Sequence, residues 1–247
     1  MPYTSVLVVS DNETIVQRFI ELLDDQPELI KGRTFRFACY PKHDSLRGKK
    51  ISGYTIEPLD IKQDYQELID RHDLVISAHC KQIFPEALVS SIKCVNIHPG
   101  YNPYNRGWYP QVFSILNGKP LGATIHEIDA KLDHGKIIDR ELVELKTSDT
   151  SLTAYTRVQA KELELLKRNL ARILTGDYQT LEPEEEGNIN FKKDFEALRE
   201  LDLAEEITFQ HAIDRLRALS HPPFKNAYFI DTATGKRIWL RVELEEE

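Results

Sequence analysis

Three features of the sequence predict an α/β fold: a Rossmann-like, doubly wound and mostly parallel sheet, followed by a small α+β appendage. The first is a pair of apolar runs, Val6–Val9 and Leu74–Ile76, which read as strands buried on both faces of a parallel sheet. The second is the stretch after Val9: Ser10-Asp11-Asn12, then Ile15, Phe19, Leu22 and Leu23 at helical spacing. That is a strand-to-helix step with Asp11 or Asn12 as N-cap. The third is Glu182-Pro183-Glu184-Glu185-Glu186-Gly187, where like charges, a helix breaker and a glycine mark a boundary. It separates a domain over residues 1–180 from a region over 187–247.

Phe35 to Tyr40 is a strand, 41–50 a basic, turn-rich loop, Tyr54 to Ile56 a short strand and Tyr65 to Asp70 a short helix. Asp73 to Ser77 is the next buried strand, with Ala78 to Pro85 as its exit loop and a helix at Glu86 to Ser91. A strand through Ile92, Val95 and Ile97 stops at Pro99-Gly100. Gln111 to Leu116 is helical, and Gly122 to Asp129 and Lys136 to Leu145 are strands joined by a loop over 131–135. Ser148-x-Thr150 caps a long helix to Leu174, with Leu152, Tyr155, Leu163, Leu166 and Leu170 as its buried side. The appendage carries a short helix after 188–195, a helix from about Ile207 to Leu219, and strands at Ala227–Ile230 and Arg237–Leu244.

Composition narrows the function classes. The formal charge of −8 argues against broad nucleic-acid binding, which needs a basic surface. The appendage, nine Lys and Arg against twelve Asp and Glu, is no more basic. Cys39, Cys80 and Cys94 are odd in number and lack Cys-x-x-Cys spacing, so neither a disulfide framework nor a zinc site is indicated. His126, Asp129 and His134 match no familiar ligand pattern, so no metal is expected. No run approaches a membrane span and no secretory leader is read at the N-terminus. The expectation is a cytoplasmic protein with no membrane contact. There is no Gly-x-Gly-x-x-Gly for a dinucleotide.

The chemistry concentrates between Cys94 and Gly135. In Asn96-x-His98 the alternation of a strand puts both side chains on one face. An imidazole to move a proton, an amide to donate to an oxyanion and a carboxylate to orient and charge the imidazole suit acyl transfer. Asn-x-His alone also fits a hydrogen-bonded pair in an ordinary loop. Arg106, in Asn105-Arg106-Gly107-Trp108, fits an anion clamp or a structural salt bridge, and Gly107 lets backbone approach a ligand. Lys81 is either solvated or in reach of a substrate phosphate.

In order, Asn-x-His-Pro (96–99), Pro-x-x-Arg-Gly (103–107), Gly-x-Thr-x-His (122–126) and Asp-x-Gly (133–135) resemble the N10-formyltetrahydrofolate-dependent formyltransferase family. "CKQIFP", "NIHPGYNPYNRGWYPQVFSILNG" and "GATIHEIDAKLDHG" are most similar to its sugar N-formyltransferase branch. The resemblance implies Asn96, His98 and Asp133 as the catalytic set. It implies a folate contact over His79, Cys80, Lys81, Gln82, Ile83 and Phe84, much of it through backbone, with Asp129 and Leu132. For the sugar nucleotide it implies Tyr104, Asn105, Arg106, Trp108, Tyr109 and Lys81, and from the C-terminal region Arg215, Phe224, Lys225, Asn226 and Tyr228. The donor is then N10-formyltetrahydrofolate. The acceptor is a dTDP-linked amino-dideoxy sugar for O-antigen or surface polysaccharide synthesis, with dTDP-4-amino-4,6-dideoxyglucose ahead of a 3-amino isomer. A homodimer built by the C-terminal region is expected. A formyltetrahydrofolate hydrolase, or a folate or sugar-nucleotide binding protein without turnover, are the alternatives.

Overall fold

The apolar run at the start forms β1 (Ser5–Val9), and Asn12 caps α1 (Glu13–Asp25) by accepting the Ile15 N–H at 3.2 Å. The structure, a computed structural model, describes residues 3–247. β2 (Thr34–Cys39), β3 (Lys50–Ile51), β4 (Tyr54–Pro58) and α2 (Ile61–Arg71) come next. After them lie β5 (Leu74–Ala78), α3 (Glu86–Ser91), β6 (Lys93–His98), β7 (Arg106–Gly107), α4 (Pro110–Asn117), β8 (Leu121–Glu127) and β9 (Ile137–Val143). The chain ends with α5 (Ser151–Thr175), β10 (Ile189–Asn190), α6 (Lys192–Arg199), α7 (Phe209–Leu219), β11 (Ala227–Ile230) and β12 (Arg237–Leu240).

The principal sheet has the order β3-β4-β2-β1-β5-β6-β8-β9. β4, β2, β1, β5 and β6 run parallel, and β8 returns antiparallel to β6. Every residue of β5 is buried, as expected for a strand covered on both faces. Among the described residues no helix is long and apolar enough to cross a membrane.

Two compact units divide the chain. The first takes the chain up to His98 with Thr124–Arg140 and Glu162–Glu184; the second takes Pro99–Ala123, Glu141–Lys161 and Glu185–Glu247. The second unit therefore begins well before the boundary expected near 182–187. Its core explains why: Val112, Phe113 and Ile115 of α4 pack with Phe195, Ala218, Leu219 and Ala227. A region of some 60 residues closes only a marginal core by itself, and this one shares a core with a helix from earlier in the chain.

The long helix also turns differently from expectation. Its buried stripe runs through Ala154, Val158, Leu165, Leu166, Leu170 and Ile173, whereas Leu152, Tyr155 and Leu163 are only half-buried. Glu162 and Asn169 lie in that stripe, both at 0 % exposure.

Candidate active site

β6 and β8 pair antiparallel with Asn96 opposite His126 and His98 opposite Thr124. Alternation along each strand puts all four side chains on one face. The turn after β8 brings a fifth group back: Asp133 sits in left-handed backbone at φ 46°, a conformation Asp tolerates better than most residues. Gly135 closes this turn against the strand; a Cβ there would stand 1.9 Å from the Glu127 carbonyl oxygen.

The resulting cluster is tight. Asn96 Nδ2 donates to Asp133 Oδ1 at 3.1 Å and lies 3.2 Å from His126 Nε2. His98 Nδ1 is 3.6 Å from Asp133 Oδ2, and His126 Nε2 is 3.6 Å from Asp133 Oδ1. The His98 and His126 rings meet edge-on with centroids 6.1 Å apart. His98 and His126 are buried, and the Asp133 side chain is 11 % exposed. His126 Nδ1 is 2.7 Å from the Glu127 carbonyl. A carbonyl only accepts, so Nδ1 carries the proton and Nε2 accepts from Asn96. Amide, carboxylate and imidazole are thus assembled with the amide hydrogens directed by two fixed acceptors, a geometry suited to acyl transfer.

Residues 41–170 match the family model described as formyl transferase, and 194–246 match the N-formyltransferase dimerization C-terminal domain. A dTDP-4-amino-4,6-dideoxyglucose formyltransferase of Mycobacterium tuberculosis is 50% identical over 188 residues, 76% of this chain and 80% of the relative. The chain belongs to the formyl transferase family. A crystal structure of a 4-N formyltransferase from Francisella tularensis superposes with a TM-score of 0.92 at 42% identity, covering 99% of both chains. A sugar N-formyltransferase from a Shewanella species gives 0.91 at 39% identity, again covering 99% of both.

In this formyl transferase the loop after β5 keeps most of its side chains inward. His79 places Nε2 2.7 Å from Glu162 Oε2. Gln82 donates to the Leu59 carbonyl and accepts from the Ile61 N–H. Phe84 joins the core with Leu68, Val75 and Leu88. Burial pushes the Cys80 thiol up to about 12, so it is a packing group and not a nucleophile. Ile83, 81 % exposed, and the Lys81 side chain project outward. Backbone, Ile83 and Lys81 are what this loop offers a ligand. Asp129 accepts the Lys131 N–H and faces His134 Nδ1 at 2.8 Å, while Leu132 is exposed beside Asp133.

Several predicted sugar-nucleotide residues make contacts within the second unit. Asn105, 0 % exposed and at φ 49°, donates to Ser114 Oγ and Asn117 Oδ1. Its own Oδ1 accepts from Asn117, Asn188 and Asn190. Arg106 is buried with Nη2 on Glu186 at 3.2 Å, the salt-bridge alternative. Arg215 is spent on the Leu198 and Glu200 carbonyls and on Glu205. Asn226 donates to the Leu219 carbonyl, and Tyr228 donates to Glu200 with Arg237 over its ring. The Lys225 carbonyl accepts from Arg199. Tyr104 bonds Glu185, under Lys119. Trp108 and Tyr109 stay half-buried, with Tyr109 stacked 4.1 Å from Phe195, and Phe224 is exposed.

His126 joins the cluster from outside the expected catalytic set, and Glu162 and Asp11 contact the loop after β5. His126 had a signal, the alternation Gly-x-Thr-x-His in an apolar strand. Glu162 had one too, a carboxylate four residues from both Val158 and Leu166 on an apolar stripe.

Proposed function

We propose that this chain transfers the formyl group of N10-formyltetrahydrofolate to the 4-amine of dTDP-4-amino-4,6-dideoxyglucose. The observation that carries this reading is the Asn96–His98–Asp133–His126 cluster in a chain 50% identical to a formyltransferase named for that sugar nucleotide.

The amine attacks the formyl carbon, the C–N10 bond breaks, and the proton lost by the amine ends on N10. His98, its Nδ1 turned to Asp133, offers Nε2 to take the proton from the attacking nitrogen and to pass it on. Asp133 stabilises the imidazolium while it exists. Asn96 stabilises the tetrahedral oxyanion, to which such a donor contributes about 2.7–4 kcal/mol. At rest its amide hydrogens lie toward Asp133 and His126. Neutral His126 is the weaker acceptor, so that hydrogen is the one Asn96 turns to the oxyanion.

The C-terminal match and the exposed Phe209 and Leu203, 89 % and 68 % accessible, support a homodimer. A cytoplasmic setting is supported by three free cysteines, none in a disulfide.

The test is a mass spectrum of each acceptor after incubation with protein and N10-formyltetrahydrofolate. One formyl group gained by the 4-amino sugar nucleotide and not by its 3-amino isomer is the expected result. Transfer to the 3-amino isomer alone would move the site of attack. Formate release with neither acceptor formylated would make the protein a hydrolase, and binding with no turnover would leave only a receptor.

A further inference from the structure

The 79–84 loop is held from within by a buried pair that the chemistry above does not use. His79 directly follows β5 in left-handed backbone, φ 58°, which costs a non-glycine residue energy and persists where the surroundings enforce it. Its ring meets Glu162, on the apolar stripe of α5 and 0 % exposed. Both of its carboxylate oxygens face His79 Nε2, at 2.9 and 2.7 Å. Burial raises the Glu162 carboxyl and His79 opposes that shift. A leucine would fill this helical position at no electrostatic cost, so a buried acid here needs a reason.

The turn at His79 fixes the residues after it. The His79 carbonyl accepts the Asp11 N–H at 3.3 Å, and the Lys81 N–H donates to Asp11 Oδ2 at 2.9 Å. Asp11 Oδ1 also accepts the Tyr40 N–H at 2.8 Å, which anchors that carboxylate to the end of β2. On the far side Gln82 is tied to Leu59 and Ile61, and Phe84 is packed away. The loop is thus pinned at residues 79, 81, 82 and 84. Asn96, His98 and Asp133 are complete without it.

We propose that Glu162 is a positioning residue for the formyl donor, holding through His79 the backbone that the donor meets. This rests on the reaction proposed above. Donor affinity depends on the pair, and the chemical step and the sugar nucleotide do not.

The experiment uses the full chain and tetrahydrofolate as a non-reacting probe, with binding by calorimetry and steady-state kinetics for both substrates. Glu162→Ala should weaken tetrahydrofolate binding and raise the donor KM about tenfold, the scale of one charged hydrogen bond. kcat and the acceptor KM should stay within about twofold. Glu162→Gln, which can still bond the ring, should recover most of the loss. Amide exchange should quicken at 80–83. If Glu162→Ala does not fold, His79→Asn carries the same expectation, because Asn tolerates left-handed backbone but is too short to keep the contact.

Wild-type protein that binds no tetrahydrofolate would overturn the proposed reaction and this inference with it. Wild type that binds it while the folded variants bind it equally well overturns this inference alone. So does a uniform loss across kcat and both KM values, which would make the pair a general structural support.

Discussion

Asn96 and His126 face each other across β6 and β8, Nδ2 to Nε2 at 3.2 Å, and the Glu127 carbonyl on the other side of the imidazole fixes which nitrogen is the acceptor. Replacing His126 by Leu leaves the Asn96 amide with one acceptor instead of two. kcat should fall about tenfold with both KM values little changed, because an amide held by Asp133 alone is no longer aimed before the reaction. His126→Gln, which can still accept, should retain more activity. Equal kcat for wild type and His126→Leu would show that the contact directs nothing.

Asn96→Ala, His98→Ala and Asp133→Ala should each reduce kcat by about a hundredfold or more while the melting temperature barely moves. The double variant Asn96→Ala/Asp133→Ala should lose less than the product of the single losses, because the two side chains act through one contact. Near-normal turnover in His98→Ala would remove it as the base.

Gly135 and His126 meet at the same atom. The Glu127 carbonyl accepts from His126 Nδ1 and lies where a Gly135 side chain would go. Gly135→Ala should lower both stability and kcat, whereas most surface substitutions stay within about 0.5 kcal/mol. Thermal melts and turnover on one preparation check this, and wild-type values in both would place the turn elsewhere in solution.

Asn105→Ala should behave in the opposite way to a substrate contact. The amides of Asn117, Asn188 and Asn190 lose an acceptor that is itself fully buried, so a stability loss of roughly 1–3 kcal/mol is expected. Folded protein held well below its melting temperature should keep its KM for the sugar nucleotide. A raised KM with unchanged stability would restore Asn105 as a binding residue.

Stability should fall toward acid pH through His72 and His221. Burial lowers both imidazoles from an ordinary 6.5, and for His72 the nearby Arg36 adds to this. Ser5 Oγ donates to the Arg71 carbonyl, so His72 Nδ1 donates to Ser5 and Nε2 faces Arg36, an arrangement of the neutral ring. Above 6.5 both rings are neutral folded and unfolded, and the full stability is present. As the pH drops below 6.5 the unfolded chain takes up protons first, so stability is lost until the lowered folded values are passed. Urea midpoints between about pH 7.5 and 5.5 should decline in the wild type and less in His72→Gln and His221→Gln. Parallel declines in all three proteins would assign the effect to other groups.

Much of this protein is decided locally. Apolar runs made β1 and β5, an Asn-capped stripe made α1, and Asn96-x-His98 placed an amide and an imidazole on one face, because strand and helix periodicity act over a few residues. The ordered motifs from Asn96 to Gly135 carried the family. Tertiary structure alone decided the partners. Asn105 fits a ligand contact in one dimension and Arg106 a clamp or a salt bridge, and only the return of 186–190 to their side shows which groups they meet. His79 reads as a loop residue until α5, some eighty positions later, brings Glu162 to its ring. Buried polar groups must be satisfied by whatever the fold brings near, and contacts so distant in sequence leave no period to read.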